Sequence, residues 1–340
     1  MPIPSLLEEL LVAHGLSGSE DAVQAIVRRE AGAIGAEITT DVLGSTVARV
    51  RGSGSARLLA LFAHSDQIGM VIRGAKDDGL LTVAKLASWR PQDAFGQRVR
   101  VMTSGGEVRG VVVSPHEGEV LWDTLRIDIG AADGDEALEL VRPGDGVVLV
   151  GPAEELPNGR VLSGALDNRV GVFACLDALS RIAAEPPEWD VAVVVSVQEE
   201  SETHGGAKVV AERLSPDVAI AVDVTYAGDA PGTAPWGDVR LGGGPTVFRG
   251  PVVSPVVGEG LLAVAAAAGI DVTIESGSST YSDADDIFSA GGGVATQIVG
   301  IPLRYMHTAG EIAQLSDVDA TSRLLEAYAR SLAAESSFLR

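Results

Sequence analysis

The chain has 340 residues, 46% of them apolar, and a positive mean hydropathy, which excludes a disordered polypeptide and supports a well-cored globular one. Its formal charge of -22 disfavours nucleic acid and anionic membrane as partners, because both need a basic footprint. That charge suits plain solubility, or a field that draws cations such as metal ions or amine-bearing substrates.

In chain order, Leu6, Leu7, Leu10 and Leu11 share one helical face that ends near Gly15. With Glu8 and Glu9 among the leucines and no basic leader, this segment reads as an amphipathic helix and not as a signal peptide. Ser17-Gly-Ser-Glu20 reads as a capping box for a second helix through "AVQAIVRRE". "EITTDVLGSTVARVRG" is hairpin-like, and "ARLLALFAHSD" is an apolar strand running into His64 and Asp66.

The texture then changes. From about Gln67 to Arg160 the chain is a series of short β-branched or alternating segments: "IGMVIRGA", "LLTVAKLA", "RVRVMTS", "EVRGVVVS", "LRIDIG" and "DGVVLVG". The connections are rich in Gly and Asp, and only "DGDEALELV" looks helical. This predicts a small β-rich module, residues 67–160, inserted into an α/β domain made of residues 1–66 and 161–340.

From Leu162 helices and strands alternate again. Helices are predicted over Arg169 to Ala183, Ala207 to Leu214, "GLLAVAAAAG" and Val318 to the end, and strands over Val191 to Val197, Val218 to Val224 and "DVTIES". The fold class expected is α/β, with a mixed, mostly parallel sheet sandwiched by helices. Cys175, the single cysteine, falls on the first of these helices as a small buried hydrophobe, so no intrachain disulfide is available. No apolar stretch approaches the roughly 18 residues that span a bilayer, so a soluble, cytoplasmic protein is expected.

In open α/β sheets ligands gather beyond the carboxyl ends of the strands. Reading those ends in order gives His64 and Asp66, then Asp167 before a helix start, Glu199 and Glu200, Asp223, and His307. Five converging carboxylates would be untenable without cations, since unit charges about 4 Å apart cost several kcal/mol even at an effective dielectric of 20. Divalent metals resolve this, and mixed His and carboxylate donors suit Zn, Mn or Co. Two ions about 3.5–4 Å apart, bridged by one carboxylate, would accommodate the whole set.

"AHSDQIGMVI", "GALDNRVG", "VQEE", "AIAVDVT", "SDADDI" and "GIPLRYMHT" occur in an order and spacing that resemble the M42 family of metallo-aminopeptidases, over nearly the full length. The resemblance implies a zinc-peptidase-like fold, with the β-rich insert as a dimerisation domain. It also implies two divalent ions per subunit that share Asp167. His64 and Asp223 would complete one site, Glu200 and His307 the other. Glu199 would be the general base for a metal-activated bridging water, and Asp66 would orient His64. The activity implied is hydrolysis of N-terminal residues from short peptides, by a homo-oligomer built from dimers, up to a twelve-subunit particle. Two departures stand out: Gln67, where the family more often has Glu, and the polar "SETHGG" after the glutamate pair. Both bear on substrate preference, not on ligation.

Other features read more plainly. His14 sits near a helix end, His116 in a surface loop of the insert and His204 in a solvated loop. Asp283, Asp285 and Asp286 either cap a helix or lie near the active-site wall. "LGGGPTV" is a tight turn, since it lacks the spacing of a phosphate cradle. The alternatives are an M20- or M28-type metallohydrolase (deacylase or dipeptidase), a glycosidase built on the glutamate pair, and a non-enzymatic metal-binding protein. Adjacent glutamates cannot flank a sugar as a glycosidase pair does, at about 5–9.5 Å.

Overall fold

The computed structural model describes residues 2–54, 56–114, 118–201, 203–233 and 237–339, so the expectation for His116 lies outside the described residues. Among the described residues an 11-stranded mixed sheet forms the larger part of the molecule. Its centre is four parallel neighbours in the order Asp190–Ser196, Leu58–His64, Val218–Tyr226 and Ala295–Arg304. Every residue of the first two is buried, which is why they read as continuous apolar runs and not as alternating ones.

Alternate residues of these strands serve two apolar clusters. Leu59, Leu61, Val191, Val193, Ile220 and Val222 pack with the helices Ser5–Val12, Asp21–Ile34, Leu166–Ala184, Pro255–Ala268 and Leu315–Ser331. Ala60, Phe62, Ala192, Val194 and Ala219 pack with Ala207, Val210, Ala211 and Ile287 from Gly206–Leu214 and Asp283–Ile287. Period-2 alternation on a fully buried strand produces two such sets. Fully buried Cys175 belongs to the first.

The hairpin Glu37–Thr40 with Thr46–Val50 closes one edge of the sheet. At the other edge Glu311–Gln314, Arg160–Ser163 and Glu154–Leu156 run antiparallel. The six short segments between them, Gly69–Ala75, Leu81–Leu86, Arg98–Thr103, Gly106–Val113, Arg126–Asp128 and Gly146–Leu149, form a closed barrel. It has its own core, including Met70, Ile72, Val99, Val101, Ile127 and Val147. Helix Gly134–Leu140 lies where expected, and a four-residue helix, Pro91–Ala94, adds to it.

Three expectations are corrected. The sheet is mixed but not mostly parallel: among the described residues six of its strand pairings are antiparallel and four parallel. The last helix is Leu315–Ser331, and the described residues after it are not helical. Ser17 and Glu20 do not form a capping box: the helix begins at Asp21 with no side-chain cap. Ser17 Oγ donates instead to Asp66 Oδ2 at 2.5 Å. Glu20 Oε1 accepts from the Gly18 and Gln198 amides at 2.8 and 3.0 Å. In a cap the Ser17 oxygen would accept from a helix amide; here its O–H donates to an ionised carboxylate, a strong acceptor that holds the side chain elsewhere. The "LGGGPTV" turn is a turn, with the Gly242 and Gly244 amides held by Asp317. No described helix is long and apolar enough to cross a membrane.

Candidate metal centre

The parallel strands carry their carboxyl ends side by side, and the chemistry collects there. His64 closes its strand, and Asp223 lies within Val218–Tyr226. Glu199 and Glu200 follow Asp190–Ser196 after a short turn, and His307 follows Ala295–Arg304. Asp167 precedes the regular part of its helix, with non-helical backbone at Asp167 and Asn168.

Asp167 lies between the two imidazoles. Its Oδ1 is 3.3 Å from His64 Nε2 and its Oδ2 is 3.3 Å from His307 Nε2. Asp223 Oδ1 stands 3.5 Å from the same His64 nitrogen, and Glu200 Oε1 stands 3.3 Å from His307 Nε2. Glu199 Oε2 is 3.8 Å from His64 Nε2. The structure thus brings together all seven residues named from the sequence.

The other ring nitrogens are tied down. His64 Nδ1 lies 3.2 Å from the Asp66 carbonyl and 3.4 Å from its Oδ1, and His307 Nδ1 lies 2.8 Å from the Ser88 carbonyl. Fully buried Asp66 also accepts from the Glu199 and Glu200 amides at 3.1 and 2.9 Å, so it clamps the turn that presents both glutamates. Gln198, just before them, sits at φ +61, and Tyr281, Tyr305 and His307 are also left-handed, a strained set of the kind that gathers at functional sites.

Glu311 was not foreseen. It is 2% exposed, and its two oxygens accept from the His307 and Asp167 amides at 2.9 and 3.1 Å, fixing both residues. A lone glutamate in the short strand "EIAQ" carries no motif. Its only signal is a charged residue at a position the strand buries.

The electrostatics are lopsided. Burial raises Glu199 well above the usual carboxylate range, and also raises Glu200, Asp223 and Glu311. Burial opposes a proton on His64 and His307, but Glu199 and Asp223 around the first, and Glu200 and Asp167 around the second, outweigh it and raise both. Burial would raise Asp167 too, yet hydrogen bonds from His307 and His64 hold it low. A cluster that must take up protons to be tolerable is one that cations would satisfy better.

Among the described residues three sets of ligand atoms lie within 4.8 Å of one another: His64 with Asp167 and Asp223, Asp167 with Glu200 and His307, and His64 with Glu199 and Glu200. Glu200 Oε1 is buried and, among the described residues, accepts no well-aligned hydrogen bond, with His307 Nε2 3.3 Å away. Imidazole and carboxylate donors with an oxygen left unsatisfied fit divalent cations of the Zn, Mn or Co kind.

The cluster opens into a cavity of about 320 Å³ whose walls include Thr225, Phe248, Glu275, Tyr281, Ile298 and Gly300. It adjoins a second, of about 840 Å³, lined by Trp89 and Arg90 from the barrel segment and by Tyr226 and Tyr305. A cavity of about 550 Å³ at the amino ends of the strands holds none of the clustered residues.

Other residues singled out in the sequence stay outside. His204 is half exposed and 4.0 Å from Asp286. His14 pairs with Arg100 and Glu107. Buried Gln67 accepts from the Gly15 amide and from fully buried Arg169, so it ties two segments together and lines neither cavity at the cluster. Asp283 accepts from Ser196, while Asp285 gathers Ser279, Thr280 and Tyr281 into the cavity wall.

A His and carboxylate cluster at the carboxyl ends of parallel strands, opening into a cleft, has the donor set and the access of a site that could hold metal ions beside a substrate. The sequence profile of the M42 glutamyl aminopeptidase family matches residues 44–324, and the chain belongs to that family. It is an enzyme, a hydrolase acting on peptides. It is 33% identical to a putative aminopeptidase of Acetivibrio thermocellus, covering 94% of this chain and 96% of that one. It is 32% identical to the lysyl aminopeptidase of Pyrococcus furiosus, covering 96% of each. Among solved structures, a TET aminopeptidase of Thaumarchaeota archaeon SCGC AB-539-E09 superposes with a TM-score of 0.92 at 30% identity, covering 97% and 96%. The TET1 peptidase of Pyrococcus horikoshii, described as assembling into a tetrahedron or a large octahedral shell, superposes at 0.85 with 29% identity, covering 96% and 100%. A protein of Thermotoga maritima described as an endoglucanase superposes at 0.79 with 29% identity, covering 94% and 95%.

Proposed function

We propose that this chain is a metal-dependent aminopeptidase that removes residues one at a time from the N-termini of short peptides, using two divalent ions per subunit, Zn, Co or Mn. The observation that carries this reading is Asp167, with one oxygen facing each imidazole at 3.3 Å. His64 and Asp223 would hold one ion, Glu200 and His307 the other, and Asp167 both. When bound, the ions supply Lewis acidity and lower the pKa of water at this position.

The chain's own residues move the proton. Glu199, the neighbour of a ligand but not itself one, takes the proton of the attacking water on its carboxylate and returns it to the leaving amine nitrogen. Burial raises its affinity for that proton. Asp66 keeps His64 presented through Nε2 by holding Nδ1, and Glu311 fixes the backbone of Asp167 and His307.

The inserted barrel, expected over residues 67–160, would form the dimerisation module and the remainder the catalytic domain, with Glu154–Leu156 and Arg160 paired into the large sheet and not the barrel. The dimers would assemble up to a twelve-subunit particle in the cytoplasm. The shells described for the Pyrococcus horikoshii relative support the assembly. The endoglucanase relative supports a second reading, glucan hydrolysis. Against it, Glu199 and Glu200 are consecutive and share their surroundings with His64, so they cannot flank a glycosidic bond.

The test is a panel of peptides, aminoacyl anilides and carboxymethylcellulose, offered to protein loaded with Zn, Co or Mn, with and without chelator. N-terminal residues are expected to be released, and chelator to abolish the release. No release with any metal, or cellulose cleavage that survives chelator, would overturn the proposal.

A further inference from the structure

We infer that Glu275 makes the substrate pocket selective for a basic N-terminal side chain, lysine or arginine. The inference rests on the aminopeptidase reading above and adds the substrate class.

Glu275 lines both cavities beside the cluster and is 6% exposed. Its Oε1 accepts from Thr225 Oγ1 at 2.7 Å and its Oε2 from Thr246 Oγ1 at 2.9 Å. Among the described residues it takes part in no ion pair, and the charge that acts on it is another carboxylate, Asp223. Each oxygen of an ionised carboxylate can accept about two hydrogen bonds. One site per oxygen is therefore left for a donor in the cavity.

Asp190, another buried acid of this protein, is satisfied differently: it faces Arg49 and Arg51 and accepts from the Gly52 amide. That carboxylate holds the fold together and has its counter-charges. Glu275 is held by hydroxyls that orient it without balancing its charge. A buried charge without a counter-charge is expensive, and a substrate ammonium or guanidinium would supply one.

The distances suit such a substrate. Thr225 follows Asp223 by two residues on one strand, so both side chains point to the same face, about 7 Å apart along it. A substrate whose α-amine lies at the cluster near Asp223 would carry its first side chain toward Glu275. The four-carbon stem of lysine spans roughly 6 Å, and a hydrogen bond of about 3 Å from its ammonium extends that reach past a separation of this size. Phe248 and Ile298 in the same wall offer apolar surface to the stem. Gly300 leaves the clamp its room: a Cβ there would come within 2.4 Å of Thr246 Oγ1 and 3.0 Å of Thr225 Cγ2.

The test compares kcat/KM for lysyl, arginyl, leucyl and glutamyl anilides in the wild type, Glu275→Gln and Glu275→Asp. It adds inhibition by free L-lysine against L-norleucine, which has the stem without the ammonium. The wild type is expected to favour lysyl and arginyl over leucyl substrates by at least about tenfold, and to bind L-lysine more tightly than L-norleucine. Both differences should collapse toward unity in Glu275→Gln and persist in part in Glu275→Asp. A wild type that prefers leucyl or glutamyl substrates would overturn the inference while leaving the aminopeptidase reading intact. A Glu275→Gln variant that lowers every substrate in proportion, as a purely structural clamp would, also overturns it. No turnover of any substrate would instead overturn the aminopeptidase reading, and this inference with it.

Discussion

At its amino end the strand Asp190–Ser196 begins with a buried carboxylate ringed by donors; beyond its carboxyl end come two more that have none of that support. Asp190 is paired with Arg49, lies 3.2 Å from Arg51 Nη1 and accepts from the Gly52 amide at 2.6 Å. Glu199 and Glu200 meet imidazoles and further carboxylates, and Glu200 keeps a buried oxygen without a well-aligned hydrogen bond. One end of the strand neutralises its acid with groups the chain supplies. The other gathers acids beyond what the chain can neutralise. Asp190, which serves the fold, arrives with its counter-charges, and Glu199 and Glu200 do not.

The contrast can be broken most sharply at the unbalanced end. Glu199→Gln is expected to lower kcat by about 10²–10⁴-fold while the protein keeps its metal, as steady-state kinetics with elemental analysis would record. An unchanged kcat would return Glu199 to the class of Asp190. Next in size is metal removal. If cations balance the cluster, stripping them should lower unfolding free energy by about 3–4 kcal/mol relative to protein saturated at 100–1,000 times the dissociation constant. Thermal or denaturant unfolding with and without chelator measures it.

The balanced end predicts a smaller effect on stability and none on metal content. Asp190→Asn should cost about 1–3 kcal/mol, because Arg49 and the Gly52 amide lose a charged acceptor. The pH dependence has a definite sign. Burial works against the Asp190 charge, but the Gly52 amide and Arg49 outweigh it and hold its pKa below the ordinary value. Its contribution is therefore complete above about pH 4, the unfolded value, and is lost as pH falls through the folded one. The stability gap between wild type and Asp190→Asn should close on acidification. The smallest change is expected from Arg51→Ala: Arg51 is mostly exposed and Arg49 remains, so the melting temperature should move by no more than about 2 °C.

Much of this contrast was legible in the sequence at one end and hidden at the other. Buried strands announce themselves as apolar runs, and the residues at or beyond their carboxyl ends, His64, Asp167, Glu199, Glu200, Asp223 and His307, can be read off in order. The barrel segments were visible through their β-branched content. Pairings across long separations were not: Arg49 with Asp190 and Glu311 with Asp167 depend on register, which no local pattern encodes. Ser17 and Glu20 had the spacing of a capping box, and a distant carboxylate claimed the serine. Glu275 looked like an ordinary strand residue in "DVTIES", because its meaning lies in Thr225 and Thr246 on two other strands. The contact of Gln67 with buried Arg169 was equally illegible, since it joins residues far apart in the chain.

The central claim is that Asp167 joins two cation sites, and metal stoichiometry tests it most directly. Elemental analysis of protein dialysed against Zn, Co or Mn should find two ions per chain in the wild type and neither retained in Asp167→Asn. A wild type that holds one ion or none, or an Asp167→Asn variant that keeps both, would contradict the account.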